Sequence, residues 1–241
     1  MSARAALITG GSGGIGLEIA RVLGSEGYAM TISGRRADKL EGAVGVLRSE
    51  GHEVHGVAAD VADQAQLESL AAAHAERFGR LDVLVNNAGV GAGAPFGEAQ
   101  LRHLDLQIAV NLRSVFVLTR ACLDLLLAAG AEHREALIVN VASIAAKHGQ
   151  PGLSAYSATK AGVVGLTQSL QAELSQKGVR ATALCPGYVA TTMTDWLEDR
   201  SKDEMIQPTD VAESVRFLLR TSPACLVPEI QFLRPGDALR I

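Results

Sequence analysis

The chain has 241 residues, of which 48% are apolar and 20% charged, with a formal net charge of −4. That length and apolar share suit one α/β domain with a sizeable core better than two small domains. Mild acidity, with no basic cluster larger than the Arg35-Arg36 pair, gives no long-range pull on nucleic acid or an anionic membrane.

Apolar runs of strand length alternate with amphipathic segments along the whole chain. The predicted order is strand Ala5–Thr9, helix Ile15–Glu26, strand Ala29–Ser33, helix Ala37–Glu50, strand Glu53–Ala58 and helix Gln64–Phe78. Then come strand Leu81–Val85, a long helical stretch within about residues 101–129, strand Ala136–Val141, helix Tyr156–Gln176, strand Arg180–Leu184, helix Thr209–Arg220 and strand Glu229–Leu233. Leu81–Val85 and Leu137–Val141 are almost purely apolar, the pattern of strands buried on both faces of a parallel sheet. The expected fold is therefore a single-domain α/β Rossmann structure over residues 1–241. It has a doubly wound parallel sheet of about seven strands with helices on both faces. In such a sheet ligands sit beyond the carboxyl ends of the strands.

The first strand runs into Thr9-Gly10-Gly11-Ser12-Gly13-Gly14-Ile15-Gly16, and a helix follows. Small residues let the backbone approach a pyrophosphate, and the helix N-terminus turns its free N–H groups and positive dipole end toward it. A nucleotide fold that prefers NAD carries an acid about 20 residues on, at the end of the second strand. Here that strand ends Ser33-Gly34-Arg35-Arg36, with Asp38 the nearest acid. Guanidinium groups there suit a 2′-phosphate. The cofactor reading is NADP(H), with Arg35 as main contact and Arg36 as support, and NAD(H) through Asp38 as the alternative.

These residues resemble the short-chain dehydrogenase/reductase family. Thr9-Gly-Gly-Ser-Gly-Gly-Ile-Gly16 is similar to its Thr-Gly-x-x-x-Gly-x-Gly motif, and Asn86-Asn87-Ala88-Gly89 matches its Asn-Asn-Ala-Gly. Asn111 stands where the family has a catalytic asparagine. Ser143 precedes Tyr156 by 13 residues, Tyr156-Ser-Ala-Thr-Lys160 is the family's Tyr-x-x-x-Lys, and Pro186-Gly187 with Thr191 resembles its Pro-Gly-x-x-x-Thr. By motif the 3-oxoacyl-(acyl carrier protein) reductase-like members are nearest. The resemblance implies that Gly10, Gly11, Ser12, Gly13 and Ile15 line the phosphates and ribose. It implies Asp60 and Val61 at the adenine, Asn86 beside the adenosine ribose, and Val189 and Thr191 at the nicotinamide carboxamide. It further implies Asn111, Ser143, Tyr156 and Lys160 as the catalytic set, Asn111 holding a water chain to Lys160.

The chemistry needs those residue types. A phenol with a free pKa of about 10 is a poor proton donor and acceptor at neutral pH, and lowering it by about 3 units takes roughly 4 kcal/mol. Tyr156 and Lys160, four residues apart on a helix, share a face, so the ammonium can stabilise the phenolate. Tyr156 then acts as general acid in reduction and general base in oxidation. Ser143 donates a hydrogen bond to the carbonyl oxygen. The activity expected is interconversion of a ketone or aldehyde with an alcohol. The alternatives are an NAD(H)-dependent alcohol dehydrogenase of the same family and a non-catalytic, NADP-binding redox sensor. Retention of Tyr156, Lys160, Ser143 and Asn111 speaks against the sensor.

Other features bear on surroundings. Residues 188–207 carry Met193, Trp196 and Leu197 among charges and read as a mobile substrate lid with its own short helix. His148 reads as a solvated loop histidine that could border the substrate. Cys122, Cys185 and Cys225 show no metal or CxxC spacing and read as reduced thiols, and no metal site is expected. The N-terminus has no secretory pattern and no apolar run reaches the roughly 18 residues of a membrane span; the location expected is cytoplasmic. Leu123, Leu125, Leu126 and Leu127 exceed a single apolar stripe, and a homodimer or homotetramer is expected. Two departures weigh against a carrier-protein substrate. The C-terminal run from Val227 lacks the Gly-Gln…Val-Asp-Gly-Gly segment of the carrier-protein reductases, and residues 121–133 and 161–176 contain no Lys or Arg.

Overall fold

A computed structural model describes residues 4–197 and 201–236. Seven segments form parallel strands: β1 (Ala5–Thr9), β2 (Ala29–Gly34), β3 (Val54–Ala58), β4 (Val83–Asn86), β5 (Ala136–Val141), β6 (Val179–Pro186) and β7 (Glu229–Phe232). They lie in one sheet in the order β3-β2-β1-β4-β5-β6-β7. The order reverses between β1 and β4, so the carboxyl ends of those two strands open the crevice where a doubly wound sheet binds its ligand.

Helices cover both faces. On one, α1 (Gly14–Ser25), α2 (Ala37–Ser49) and α8 (Pro208–Arg220) bury Ile19, Leu23, Leu40, Leu47, Val211 and Val215 against the sheet. On the other, α3 (Gln64–Phe78), α4 (Leu101–Gln107), α5 (Ser114–Ala121), α6 (Leu123–His133) and α7 (Ser154–Leu174) follow in chain order. Leu67, Leu70, Leu118, Leu126 and Leu174 supply much of that second core. Asp63 starts α3 by accepting from the backbone N–H groups of Ala65 and Gln66, the usual way an Asp satisfies orphan donors.

The single long helix expected at 101–129 is instead broken twice. Residues Ile108–Arg113 take wider π-helical turns between α4 and α5, and the chain bends by 60° at Cys122 into α6. The bend carries Leu126 into the second core, and Leu123, Leu125 and Leu127 pack against the same core. Leu123, Leu125 and Leu127 nevertheless keep part of their surface exposed.

The strand expected at Leu81–Val85 begins at Val83 because Asp82 is tied down elsewhere. Its buried carboxylate accepts from the Ala5 N–H at 2.7 Å, from Arg80 at 2.7 and 2.9 Å, and pairs with His133 Nε2 at 2.8 Å. This cluster holds the amino end of the sheet, opposite the crevice. Among the described residues, no single helix is long and apolar enough to cross a membrane.

Candidate active site

The glycine loop bends because its residues have no Cβ. Gly10 and Gly14 take φ values of +65° and +54°, a region that side chains avoid. A Cβ on Gly16 would collide with the Gly10 carbonyl oxygen and stand 2.5 Å from Asn87 Nδ2. A Cβ on Gly13 would meet nothing within 4 Å, because that position faces the open crevice at the start of α1. A bare backbone cradle at a helix N-terminus fits a diphosphate.

The loop is fastened to the end of β4. Thr9 Oγ1 accepts from the N–H groups of Asn87 and Ala88 at 3.0 and 3.1 Å, and Asn87 Nδ2 donates to the carbonyls of Thr9 and Gly10 at 3.0 and 3.1 Å. Asn86, expected beside a ribose, has its side chain elsewhere. It is buried and donates to Thr119 Oγ1 at 3.1 Å and Asn140 Oδ1 at 2.8 Å, inside the protein. Successive strand residues point to opposite sides, so only one of the two asparagines reaches the crevice, and it is Asn87.

A cleft of about 1800 Å³ runs from this loop across the carboxyl ends of the strands. Gly10, Ser12, Gly13 and Ile15 line one end of it, and Arg36 and Lys39 border the same region. Arg35 is exposed and stands outside the lining. Arg36 is the residue just before α2. Lys39, three residues on, shares its helical face. Gly11 packs under the loop, where a Cβ would stand 2.8 Å from Ile32 Cβ. Asp60 also lies outside the lining; its Oδ1 accepts from Ala62 N at 3.0 Å, and Val61 packs at the edge of the second core.

At the far side β5 delivers Ser143 and α7 delivers Tyr156 and Lys160, all three bordering the cleft. The Tyr156 hydroxyl interacts with the Ser143 side chain. Dense protein around that hydroxyl pushes its pKa up, and the Ser143 side chain pulls it partly back. Ser143 Oγ accepts from Ala145 N–H at 3.1 Å and donates to the Pro186 carbonyl at 3.4 Å. Lys160 Nζ lies 5.7 Å from the centre of the Tyr156 ring and donates to the Val141 carbonyl at 2.7 Å. Burial pushes the Lys160 ammonium down to about 8.

Asn111 sits in the π-helical turns. Its Oδ1 accepts from Val90 N–H at 2.8 Å and its Nδ2 donates to the Val90 carbonyl at 2.9 Å. A Cβ built on Gly89 would stand 3.5 Å from both Asn111 Oδ1 and Lys160 Nζ. Asn111 thus ties the loop after β4 to α7 and stands behind Lys160.

The segment after β6 closes the cleft. Thr191 faces the glycine loop, its Cγ2 being 3.1 Å from where a Gly14 Cβ would be. Val189 is buried and bridges to Ile206, which pinches the base of the segment. The expected lid helix is two short 3₁₀ turns, Thr192–Thr194 and Lys202–Glu204, with residues 198–200 outside the described residues. His148, read as a solvated loop histidine, lines the cleft.

The family model for short chain dehydrogenase matches residues 4–202. The chain belongs to the short-chain dehydrogenase family. A 3-oxoacyl-[acyl-carrier-protein] reductase of Staphylococcus aureus is 35% identical over 226 residues, covering 89% of this chain and 90% of the relative. Among solved structures, a variant actinorhodin polyketide ketoreductase with NADPH superposes with a TM-score of 0.86 at 35% identity, covering 96% of this chain and 97% of that one. An alcohol dehydrogenase of the archaeon Thermococcus sibiricus, complexed with 5-hydroxy-NADP, gives a TM-score of 0.86 at 33% identity, covering 96% of each chain. Within this short-chain dehydrogenase the cleft also takes in Lys39, which the sequence reading did not name, and Asn87, which it quoted only as part of the Asn-Asn-Ala-Gly motif; Tyr188, Trp196 and Lys202 fall inside the segment expected to be the lid.

Proposed function

We propose that this protein is an NADP(H)-dependent oxidoreductase that interconverts a ketone or aldehyde with an alcohol. The observation that carries the reading is the meeting of Ser143, Tyr156 and Lys160 on one cleft with the bare glycine cradle. Gly10, Gly11, Ser12, Gly13 and Ile15 would hold the diphosphate and ribose. Arg36 and Lys39, with Arg35 flanking, would hold the 2′-phosphate. Val189 and Thr191 would hold the carboxamide end, and Asp60 and Val61 the adenine side. The bound nucleotide supplies the hydride that reduces the carbonyl carbon. NADP-containing structural neighbours support that choice of cofactor over NAD(H).

The chain's own residues manage the proton. Ser143 Oγ–H turns from its long bond to Pro186 and donates to the substrate oxygen. Tyr156 Oη gives its proton to that oxygen as it gains negative charge, so a neutral alcohol leaves. The phenolate left on Tyr156 is stabilised by the Lys160 ammonium, and a solvent proton regenerates it through Lys160 beside Asn111. Oxidation runs the same steps backward.

Residues 188–196, with Lys202 and Gln207, would form the wall over the substrate. Exposed Leu101, Leu106, Ile108 and Phe116 on α4 to α5 support a homo-oligomer, a dimer or tetramer, since clustered large apolar side chains mark contact surfaces. The buried, unpaired thiols Cys122 and Cys185 support a reducing, cytoplasmic setting.

The test is Tyr156→Phe. NADPH binding, read by fluorescence titration, should persist while kcat falls about 100-fold or more, as expected for losing a general acid. Turnover kept within about tenfold of the parent would sink the assignment of Tyr156 as that acid.

A further inference from the structure

Beyond the hydride chemistry, the cleft carries an aromatic corner whose place in the reaction is not yet accounted for. Tyr188 and Trp196 meet edge to face, with ring centroids 6.4 Å apart and planes at 78°. Both border the cleft. Trp196 is 63% exposed and Met193 beside it 47%. A lone exposed apolar residue needs no explanation, but two large ones gathered in a cleft with a tyrosine do.

Several segments hold the corner in place. The Tyr188 hydroxyl donates to Gln150 Oε1 at 3.4 Å, which ties it to the loop between Ser143 and Tyr156. The Arg234 guanidinium, just past β7, lies 5.2 Å from the centre of the Tyr188 ring. Lys202 Nζ donates to the Thr191 carbonyl at 2.6 Å and to Thr194 Oγ1 at 3.0 Å, and pairs with Asp195 Oδ1 at 2.8 Å. Those bonds fix the turn that leads into Trp196. The corner is therefore tied through Tyr188 to the loop between Ser143 and Tyr156, and through Lys202 to the turn before Trp196.

We infer that Tyr188 and Trp196 form a recognition site for a flat, conjugated ring of the carbonyl substrate. This rests on the oxidoreductase reading above. Two rings near a right angle offer a third ring both favoured geometries at once: it stacks on one and meets the other edge-on. A flexible alkyl chain would gain buried area there but no oriented contact. The Trp196 face then supplies selectivity for ring ketones, while Ser143 and Tyr156 act on the carbonyl.

A size-matched pair of probes tests this. 2-Tetralone and 2-decalone share a fused ten-carbon skeleton and a carbonyl outside any conjugated ring, but only the former has a flat aromatic ring. The ratio of their kcat/KM values should fall about tenfold in Trp196→Ala and largely return in Trp196→Phe, the scale of one aromatic contact with its buried area. Trp196 is the chain's only tryptophan, so its emission gives a second readout. Adding 2-tetralone to the NADP⁺-loaded protein should change that emission saturably, and 2-decalone should do so much less. A ratio within about twofold of the parent in Trp196→Ala, or emission that ignores 2-tetralone, overturns the inference. If neither ketone is reduced, the emission titration alone decides it. Failure of NADPH to bind would instead overturn the underlying oxidoreductase reading.

Discussion

His74 should make this fold acid-sensitive well above the range where carboxylates titrate. Its imidazole, on α3, is fully buried, with Nδ1 2.9 Å from Thr31 Oγ1 and Nε2 2.9 Å from the Arg80 carbonyl. A carbonyl only accepts, so Nε2 carries the proton and Nδ1 accepts from the threonine: the ring is neutral. Burial is the main reason its pKa drops from the ordinary 6.5 to about 4. Between those pH values the unfolded chain binds a proton that the folded chain refuses. Stability is thus complete above pH 6.5 and declines as pH falls toward 4, by about 1.4 kcal/mol per pH unit and about 3 kcal/mol in all. Below that Asp82 takes over. Burial alone would raise its carboxyl, but Arg80, the Ala5 N–H and His133 outweigh burial and hold it below the usual range. The measurement is urea unfolding of the parent and His74→Gln at pH 7 and at pH 4.5. The variant should be less stable at pH 7 yet lose about 2 to 3 kcal/mol less between the two pH values. Equal losses in parent and variant would show that His74 is not the group refusing the proton.

Two further outcomes concern the cofactor end. Arg36→Ala should weaken NADPH binding about tenfold or more while changing NADH binding little, because only the former presents a 2′-phosphate to a guanidinium; Arg35→Ala should do less, and side-by-side fluorescence titrations check the order. Gly16→Ala should abolish binding of either nucleotide or prevent folding, since its Cβ has no room against the Gly10 carbonyl and Asn87; nucleotide titration and circular dichroism together tell which.

Much of this was readable from the chain because local signals agreed with the tertiary answer. β1, α3 and β5 fall on the residues their patterns named, since apolar runs buried on both faces and an Asp cap leave little choice. The helix at 101–129 was misread because what breaks it is not local: Asn111 bonds across to Val90, and Leu126 is drawn to the second core. The motif residues Ser143, Tyr156 and Lys160 come together as their order suggested. Asn86 and Arg35 were placed at the nucleotide by family motif and by sequence position; in the structure the Asn86 side chain turns inward and Arg35 stands exposed outside the cleft lining. In the first case strand alternation puts Asn87 on the open side. In the second, β2 runs on to Gly34, and Arg36 enters α2 facing the cleft with Lys39.

The two ends of the sheet show why chemistry belongs at one of them. At the amino end Asp82 is buried with a full set of partners, all within 2.9 Å. A charge so well matched holds strands together and has no reason to react. At the carboxyl end the matching is incomplete. Ser143 donates only a long 3.4 Å bond, and Lys160 is buried with no ion pair among the described residues. An unpaired buried ammonium is costly, which is what pushes Lys160 down to about 8. In the proposed mechanism, forming a phenolate on Tyr156 would relieve that cost, so the unmatched ammonium of the resting site would stabilise the charge that proton transfer creates.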